Sequence, residues 1–122
     1  SKLANQIIVG VTIGAVAEAI TLCEKSGTNP SKMIEALSGG WADSKILQTH
    51  GKRMIDKDFT PKGKTTTQLK DMTNIVDAGK AVETHLPISS LIKEMYKDLV
   101  ADGHGNTDHS SLYNAIKKIN KK

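Results

Sequence analysis

A long apolar segment at the start of the chain limits the possible folds more than any other feature. The sequence "KLANQIIVGVTIGAVAEAITLCEK" predicts one helix over residues 2–25, ended by Gly27, which suits the left-handed conformation that often follows a helix. Apolar residues surround this helix instead of lining one stripe, so several neighbours or a second chain must enclose it. Gly10 and Gly14 lie one turn apart and would let another helix approach closely.

The rest of the sequence predicts further helices and no strand. The predicted helices are one from Asn29 to Gly39 and Gly40, one capped by Asp43 or Ser44, one from about Thr66 to Glu83, one from Pro87, and one from Asp108 to Ile119. Aromatic residues make up only 3% of the chain, so the core must consist mainly of aliphatic side chains and Met. We therefore predict one all-α domain, residues 1–122, of about six helices packed around the long N-terminal helix.

The formal net charge of +4 comes from the end of the chain. Four lysines there leave residues 1–116 neutral overall; they are Lys117, Lys118, Lys121 and Lys122. Nucleic-acid-binding proteins usually carry clustered arginines or stacking aromatic residues along a basic face, and this chain has neither. We expect no nucleic-acid partner.

Cysteine content and hydropathy indicate the compartment. Cys23 is the only cysteine, so no internal disulfide can form, and the chain suits a reducing, cytoplasmic environment. The longest apolar stretch, Ile7–Ala17, is shorter than the ~20 residues that span a bilayer. We expect no membrane partner.

A small polar cluster precedes this apolar stretch. Lys2 and Asn5 are three residues apart and share one helical face with Gln6, so their donors could hold an oxyanion or a carbonyl group. From spacing alone, the favoured explanation of the cluster is solvated side chains at a frayed helix end.

The histidines do not form a metal-binding pattern in the sequence. His104 and His109 are five residues apart in a glycine-rich loop, which does not place them on one helical face. His50 and His85 are each isolated in the sequence. We therefore predict no metal site.

Six segments, in this order, carry a family resemblance: "KLANQ", "EALSGGWADSKIL", "DFTP", "LKDMTNIVDA", "LPISSLIKEMYKDL" and "DGHGNTDHSSL". Together they resemble the C-terminal domain of the β-hydroxyacid dehydrogenases, which include enzymes of the 3-hydroxyisobutyrate dehydrogenase and 2-hydroxy-3-oxopropionate (tartronate semialdehyde) reductase types. The resemblance implies the helical fold of the 6-phosphogluconate dehydrogenase C-terminal domain. It also implies NAD(P)-dependent hydride transfer between a small β-hydroxyacid and its semialdehyde.

The resemblance assigns roles to three residues. The "KxxN" half of the family motif "GxGxxxKxxN" falls on Lys2 and Asn5, which implies a catalytic lysine and a substrate-binding asparagine. The motif "KDLxxAxD" is matched by Lys70, Asp71 and Asp77, with Met72 in place of leucine, and implies that Lys70 contacts the cofactor. Family members often carry an aromatic residue after a "PG" step before this motif, which this sequence lacks.

Hydride transfer requires a dinucleotide, and no "GxGxxG" follows a strand in this sequence. We therefore expect the N-terminal Rossmann domain that binds NAD or NADP to be absent from this chain, and the isolated chain to be inactive. We also expect a homodimer or a higher homo-oligomer. A different class of function stays open: a non-catalytic helical oligomerisation module, in which Lys2 and Asn5 are only polar residues at a helix end.

Overall fold

The computed structural model describes residues 2–120, which form six α-helices and no strand. The helices are α1 (Lys2–Lys25), α2 (Pro30–Leu37), α3 (Lys45–Asp56), α4 (Thr65–Ala81), α5 (Pro87–Ala101) and α6 (Leu112–Ile119). One turn of 3-10 helix, His109–Ser111, precedes α6. The prediction of an all-α domain with about six helices is confirmed. Lys121 and Lys122 of the basic tail lie outside the described residues.

Local capping explains where several helices begin. The Asn29 side chain accepts hydrogen bonds from the backbone N–H groups of Ser31 and Lys32, and Pro30 occupies the first turn of α2. At α3 the cap is Ser44, whose Oγ accepts from the Leu47 N–H at 2.9 Å. The sequence had left Asp43 and Ser44 as alternatives for this cap.

Helix α1 lies at the centre of the domain and packs against all five other helices, α2 to α6. Ile13, Ala17 and Ile20 on α1 are fully buried. Close packing depends on the two glycines of this helix. A methyl group on Gly10 would come within 2.8 Å of Met72 Sδ on α4, and one on Gly14 within 2.7 Å of Ile92 Cδ1 on α5.

A polar clasp joins the C-terminal ends of α1 and α3 to α6. The Tyr113 hydroxyl donates to Glu24 Oε1 at 2.5 Å, and Lys57 Nζ donates to that hydroxyl at 2.8 Å and to Glu24 Oε2 at 3.0 Å. Lys57 adopts the left-handed conformation at the end of α3, with φ of 56°, which turns the chain toward this clasp.

Several large apolar side chains in or beside α4 and α5 are exposed. Ile88 and Leu91 on α5 are each 61% exposed, and Val82 is 70% exposed because α4 ends one residue before it. Ile75 on α4, by contrast, is almost completely buried. Apolar character alone therefore does not show which of these side chains other helices cover.

Exposure is also marked on α1, where Leu3, Ile8 and Leu22 face outward. By length and composition alone, α1 is apolar enough to cross a membrane, a property that central helices of soluble domains share. Its packing against all five other helices accounts for much of its apolar character.

Candidate functional site

The segments that carry the two sequence motifs meet where α1 packs on α4. Gln6 Nε2 donates to Asp71 Oδ2 at 3.4 Å, which joins the first turns of α1 to the middle of α4. Lys2 precedes Gln6 by one helical turn, and Lys70 precedes Asp71 by one residue. The two motif segments therefore lie side by side, although they are more than sixty residues apart in the sequence.

The three residues that the resemblance singled out lie on the surface of the described chain. The side chains of Lys2, Asn5 and Lys70 are all exposed, and the neighbouring Leu3 is exposed as well. An open surface of this kind can receive a ligand, but this chain does not itself enclose one there. If these residues act on a substrate, other atoms must cover them.

Trp41, in the turn between α2 and α3, is fully exposed. Asp43 holds this turn by accepting from the Gly39 N–H and from Gln48 Nε2, at 2.8 and 2.9 Å. The indole is therefore presented to solvent on an ordered turn, where it has no packing role among the described residues.

A buried carboxylate organises the loop between α3 and α4. Asp108 Oδ1 accepts from the backbone N–H groups of Lys62 and Gly63, and Oδ2 accepts from the N–H and Oγ of Ser110. Arg53 Nε lies 3.4 Å from the same Oδ2. Burial by itself raises the pKa of this carboxyl, but the hydrogen bonds stabilise its charged form and hold the pKa well below its ordinary value.

Beside this carboxylate, two histidines face each other. His50 Nε2 on α3 and His109 Nε2 on the 3-10 turn are 2.9 Å apart. His50 is isolated in the sequence but not in space, because the loop anchored by Asp108 folds back onto α3. Burial is the largest of the effects that lower the pKa of both imidazoles.

The outer nitrogens of the two rings also have partners. His50 Nδ1 lies 3.0 Å from Thr49 Oγ1, and His109 Nδ1 lies 2.9 Å from Gln68 Oε1 on α4. The sequence alone gave no direct signal for this cluster, because His50 and His109 are 59 residues apart. The only local clue was the position of His109 directly after a capping aspartate.

Comparison with known proteins identifies the family. The family model described as NAD-binding of NADP-dependent 3-hydroxyisobutyrate dehydrogenase matches residues 1–116. The 2-hydroxy-3-oxopropionate reductase of Escherichia coli (strain K12) is 39% identical over 94% of this chain and 39% of that protein. The Arabidopsis thaliana protein named "Probable 3-hydroxyisobutyrate dehydrogenase-like 2, mitochondrial" is 30% identical over 98% of this chain and 38% of that protein.

Solved structures agree in fold. The 3-hydroxyisobutyrate dehydrogenase of Salmonella typhimurium superposes with a TM-score of 0.87 at 26% identity, over 93% of this chain and 40% of that one. The Mycobacterium tuberculosis 3-hydroxyisobutyrate dehydrogenase, solved with L-serine, superposes with a TM-score of 0.86 at 24% identity, over 95% of this chain and 42% of that one. This chain spans about two fifths of the length of these relatives. With its helical fold and its order of motifs, it belongs to the 3-hydroxyisobutyrate dehydrogenase family of β-hydroxyacid dehydrogenases.

Proposed function

We propose that this chain is the helical substrate and dimerisation domain of an NAD(P)-dependent oxidoreductase that interconverts a small β-hydroxyacid and its semialdehyde. One structural observation carries the proposal beyond family membership. The hydrogen bond from Gln6 to Asp71 sets the start of α1 beside the middle of α4, so the segments bearing Lys2 and Lys70 can face one ligand.

In the proposed reaction Lys2 is the general acid and base. When the hydroxyacid is oxidised, the hydride leaves the β-carbon and the hydroxyl proton must pass to another group. The Lys2 amine would accept that proton and stabilise the developing negative charge on oxygen. In the reverse direction its ammonium form would return the proton. Asn5, one turn away with both a donor and an acceptor, would orient the substrate.

The cofactor in this proposal is NAD or NADP, which accepts or supplies the hydride when it is bound. Lys70 is an exposed cation on α4, and its ammonium group suits contact with a nucleotide that carries phosphates. The described residues form no strand, and therefore none of the βα turns that usually cradle a pyrophosphate. We accordingly propose that a Rossmann domain holds most of the cofactor and that this chain alone is inactive.

Substitution of Lys2 tests the catalytic role. In the enzyme assembled with its Rossmann domain, Lys2→Ala should lower turnover by about 10²- to 10⁴-fold, the usual contribution of a general acid or base. Cofactor affinity, measured by nicotinamide fluorescence, should stay unchanged. Lys25→Ala, at the opposite end of the same helix, is the matched control and should retain full activity.

Turnover of Lys2→Ala within a few-fold of the unsubstituted enzyme would refute the catalytic role. It would instead favour the alternative of a non-catalytic oligomerisation module. Lys70→Ala should raise the KM for the cofactor with a smaller effect on kcat, and the exposed Lys80 on the same helix supplies its control. Equal KM values in these two variants would contradict the cofactor contact.

The exposed apolar residues support a proposed homo-oligomer. Ile8 on α1 and Ile88 on α5 are 66% and 61% exposed, and both line a shallow groove between the two helices. Contiguous apolar surface of this kind is typical of protein interfaces. Light scattering at micromolar concentration should show a dimer or a larger assembly, and Ile88→Glu should shift the mass downward. A monomer before substitution would contradict this part of the proposal.

A further inference from the structure

The imidazoles of His50 and His109 form a hydrogen-bonded pair that the proposed hydride transfer does not use. Their Nε2 atoms are 2.9 Å apart, and the ring centroids are 4.7 Å apart with the planes tilted by 57°. Both side chains are partly buried. Each ring has a second partner, since His50 Nδ1 lies 3.0 Å from Thr49 Oγ1 and His109 Nδ1 lies 2.9 Å from the Gln68 amide. The network therefore joins α3, the turn before α6, and α4.

When both rings are neutral, this network has one direction. Thr49 Oγ1 donates its only proton to the Lys45 carbonyl oxygen at 2.8 Å, so it accepts from His50 Nδ1. A neutral imidazole carries one N–H group, so His50 Nε2 is then an acceptor. His109 must place its own proton on Nε2 and donate it to His50. The remaining nitrogen, His109 Nδ1, needs a donor, and the Gln68 amide nitrogen can supply it.

The Gln68 amide has two orientations, because a half-turn exchanges its oxygen and its nitrogen within the same volume. With Oε1 toward His109, the buried amide nitrogen has no hydrogen-bond partner among the described residues. A methyl group on Gly10 would lie 3.3 Å from that nitrogen, so this end of the amide faces α1. With the nitrogen toward His109, its donor is satisfied and the oxygen faces Gly10 instead. Buried carbonyl oxygens without a partner are more common than such N–H groups, so the neutral pair favours the second orientation.

An added proton has no free acceptor in the neutral network. On His109 Nδ1 it would meet the N–H of Gln68. On His50 Nε2 it would meet the N–H of His109, whose proton would have to move to Nδ1 and would again meet Gln68. Either route requires Gln68 to turn its oxygen toward His109, which leaves the buried amide nitrogen without a partner and destabilises the fold. A second proton would hold two cationic rings in contact, so the pair would separate.

We propose that the His50–His109 pair is a pH-sensitive switch, which holds α3, α4 and the turn before α6 together while both rings are neutral and releases them when proton uptake turns the Gln68 amide. Burial lowers the pKa of both imidazoles, as a switch that is closed in its neutral state requires. A cavity of about 490 Å³ adjoins the pair and gives solvent access to it. The loop between α3 and α4 would loosen with the switch, because the His109 N–H donates to the Gly63 carbonyl at 2.7 Å.

Charged and titratable groups surround the pair on the neighbouring elements. They are Arg53 on α3, Lys62 in the following loop, Asp71 on α4, Tyr96 on α5 and Asp108 before the 3-10 turn. The Asp108 carboxylate favours charged rings and Arg53 disfavours them, and these two groups pair with each other. Burial raises the pKa of the Tyr96 hydroxyl, which donates to the His109 carbonyl oxygen at 2.8 Å. Histidine has the ordinary pKa closest to neutrality, so the imidazoles are the groups expected to titrate between about pH 5 and pH 7.

Urea unfolding of this chain at a series of pH values tests the switch. Because folding lowers the pKa of both rings, the pair stabilises the fold fully above the unfolded-state pKa of about 6.5, and this stabilisation is lost as the pH falls below it. The folding equilibrium constant should fall by about threefold or more between about pH 7 and pH 5. His50→Ala should show a smaller fall, whereas His85→Ala, which removes an exposed histidine elsewhere, should keep the full fall. An equal fall in His50→Ala and the unsubstituted chain would overturn the proposal.

Nitrogen NMR of the imidazoles supplies a readout that a merely structural contact would not move. In the neutral protein the ring proton of His109 should lie on Nε2 and that of His50 on Nδ1. Gln68→Glu replaces the donor by a carboxylate that only accepts, so the His109 proton should move to Nδ1 and the pair should titrate at a higher pH. If this variant fails to fold by circular dichroism, the ring protons of the unsubstituted chain and the unfolding of His50→Ala decide. A neutral His109 with its proton on Nδ1 in the unsubstituted chain, or an unchanged His109 in folded Gln68→Glu, would overturn the proposal.

Discussion

Replacement of Asp108 by alanine should be among the most destabilising single substitutions in this domain. The side chain is 1% exposed, and its two oxygens accept four hydrogen bonds from three residues besides pairing with Arg53. Lys62 is exposed and Gly63 is partly exposed, so their N–H groups can turn to water. Ser110 is fully buried, and its N–H and hydroxyl would lose their acceptor without replacement.

The cost follows from these orphaned groups. A buried donor without a partner costs about 1–3 kcal/mol, so two at Ser110 cost about 2–6 kcal/mol. Removal of one member of a buried ion pair independently suggests about 3–5 kcal/mol, which here concerns Arg53. We therefore expect Asp108→Ala to lower the free energy of unfolding by about 4 kcal/mol. Asp108→Asn keeps one acceptor oxygen and should lose about half as much.

Urea unfolding followed by circular dichroism measures this loss. With an unfolding entropy of about 2.1 cal/mol/K per residue, each kcal/mol lost from the free energy of unfolding lowers the Tm of a domain of this size by about 4 °C. The Tm of Asp108→Ala should therefore fall by about 15 °C. The matched control is Asp102→Ala, which removes only an exposed pair with Lys118 and should change stability little. A loss below about 1 kcal/mol for Asp108→Ala, or an equal loss in the control, would refute the reasoning.

Three further predictions use the same unfolding assay. Because folding holds the pKa of Asp108 below its ordinary value, its stabilisation is complete above the unfolded-state pKa of about 4 and is lost as the pH falls further. In Asp108→Asn the free energy of unfolding should therefore fall less steeply as the pH drops below about 4. The same steep fall as in the unsubstituted chain would contradict this. Gly79→Ala would place a methyl group 2.8 Å from the Thr84 carbonyl oxygen and should lower the free energy of unfolding by about 1–3 kcal/mol. A higher free energy of unfolding would show that the turn can shift to make room for the methyl group. Tyr113→Phe removes the 2.5 Å hydrogen bond to Glu24 and should lower the free energy of unfolding by about 1 kcal/mol. An unchanged free energy of unfolding would mean that this hydrogen bond of the polar clasp does not stabilise the fold.

Helix positions were predictable because their signals are local. Asn29 and Pro30 begin α2 as their residue types suggest, and the end of α1 at Lys25 follows from Gly27. The start of α6 was less accurate. Asp108 does cap the segment, but its first turn is a 3-10 helix, and regular α-helix begins only at Leu112. Terminal turns often tighten in this way, and sequence patterns do not distinguish the two forms.

The histidine pair and the buried carboxylate could not be predicted from local pattern. Their contacts depend on the loop between α3 and α4 returning to the turn before α6, with the His109 N–H donating to the Gly63 carbonyl at 2.7 Å. Spacing along the chain carries no information about such a return. Along the chain the histidine nearest to His109 is His104, whereas its partner in space is His50.

The proposed site and the exposed apolar groove lie at the same end of α1, which connects association with catalysis. Ile8 lies six residues after Lys2, a rise of about 9 Å along the helix. Ile8 and Lys2 are also about 120° apart around the helix, so a surface that covers the groove between α1 and α5 must extend round α1 to exclude water from the Lys2 amine. The exposure of Lys2 in the isolated chain is then expected of half a site, because exclusion of water strengthens the electrostatic interactions on which proton transfer depends. On this argument Ile8→Ser in the assembled enzyme should weaken association and lower turnover together. Turnover that survives the loss of association would separate the two roles.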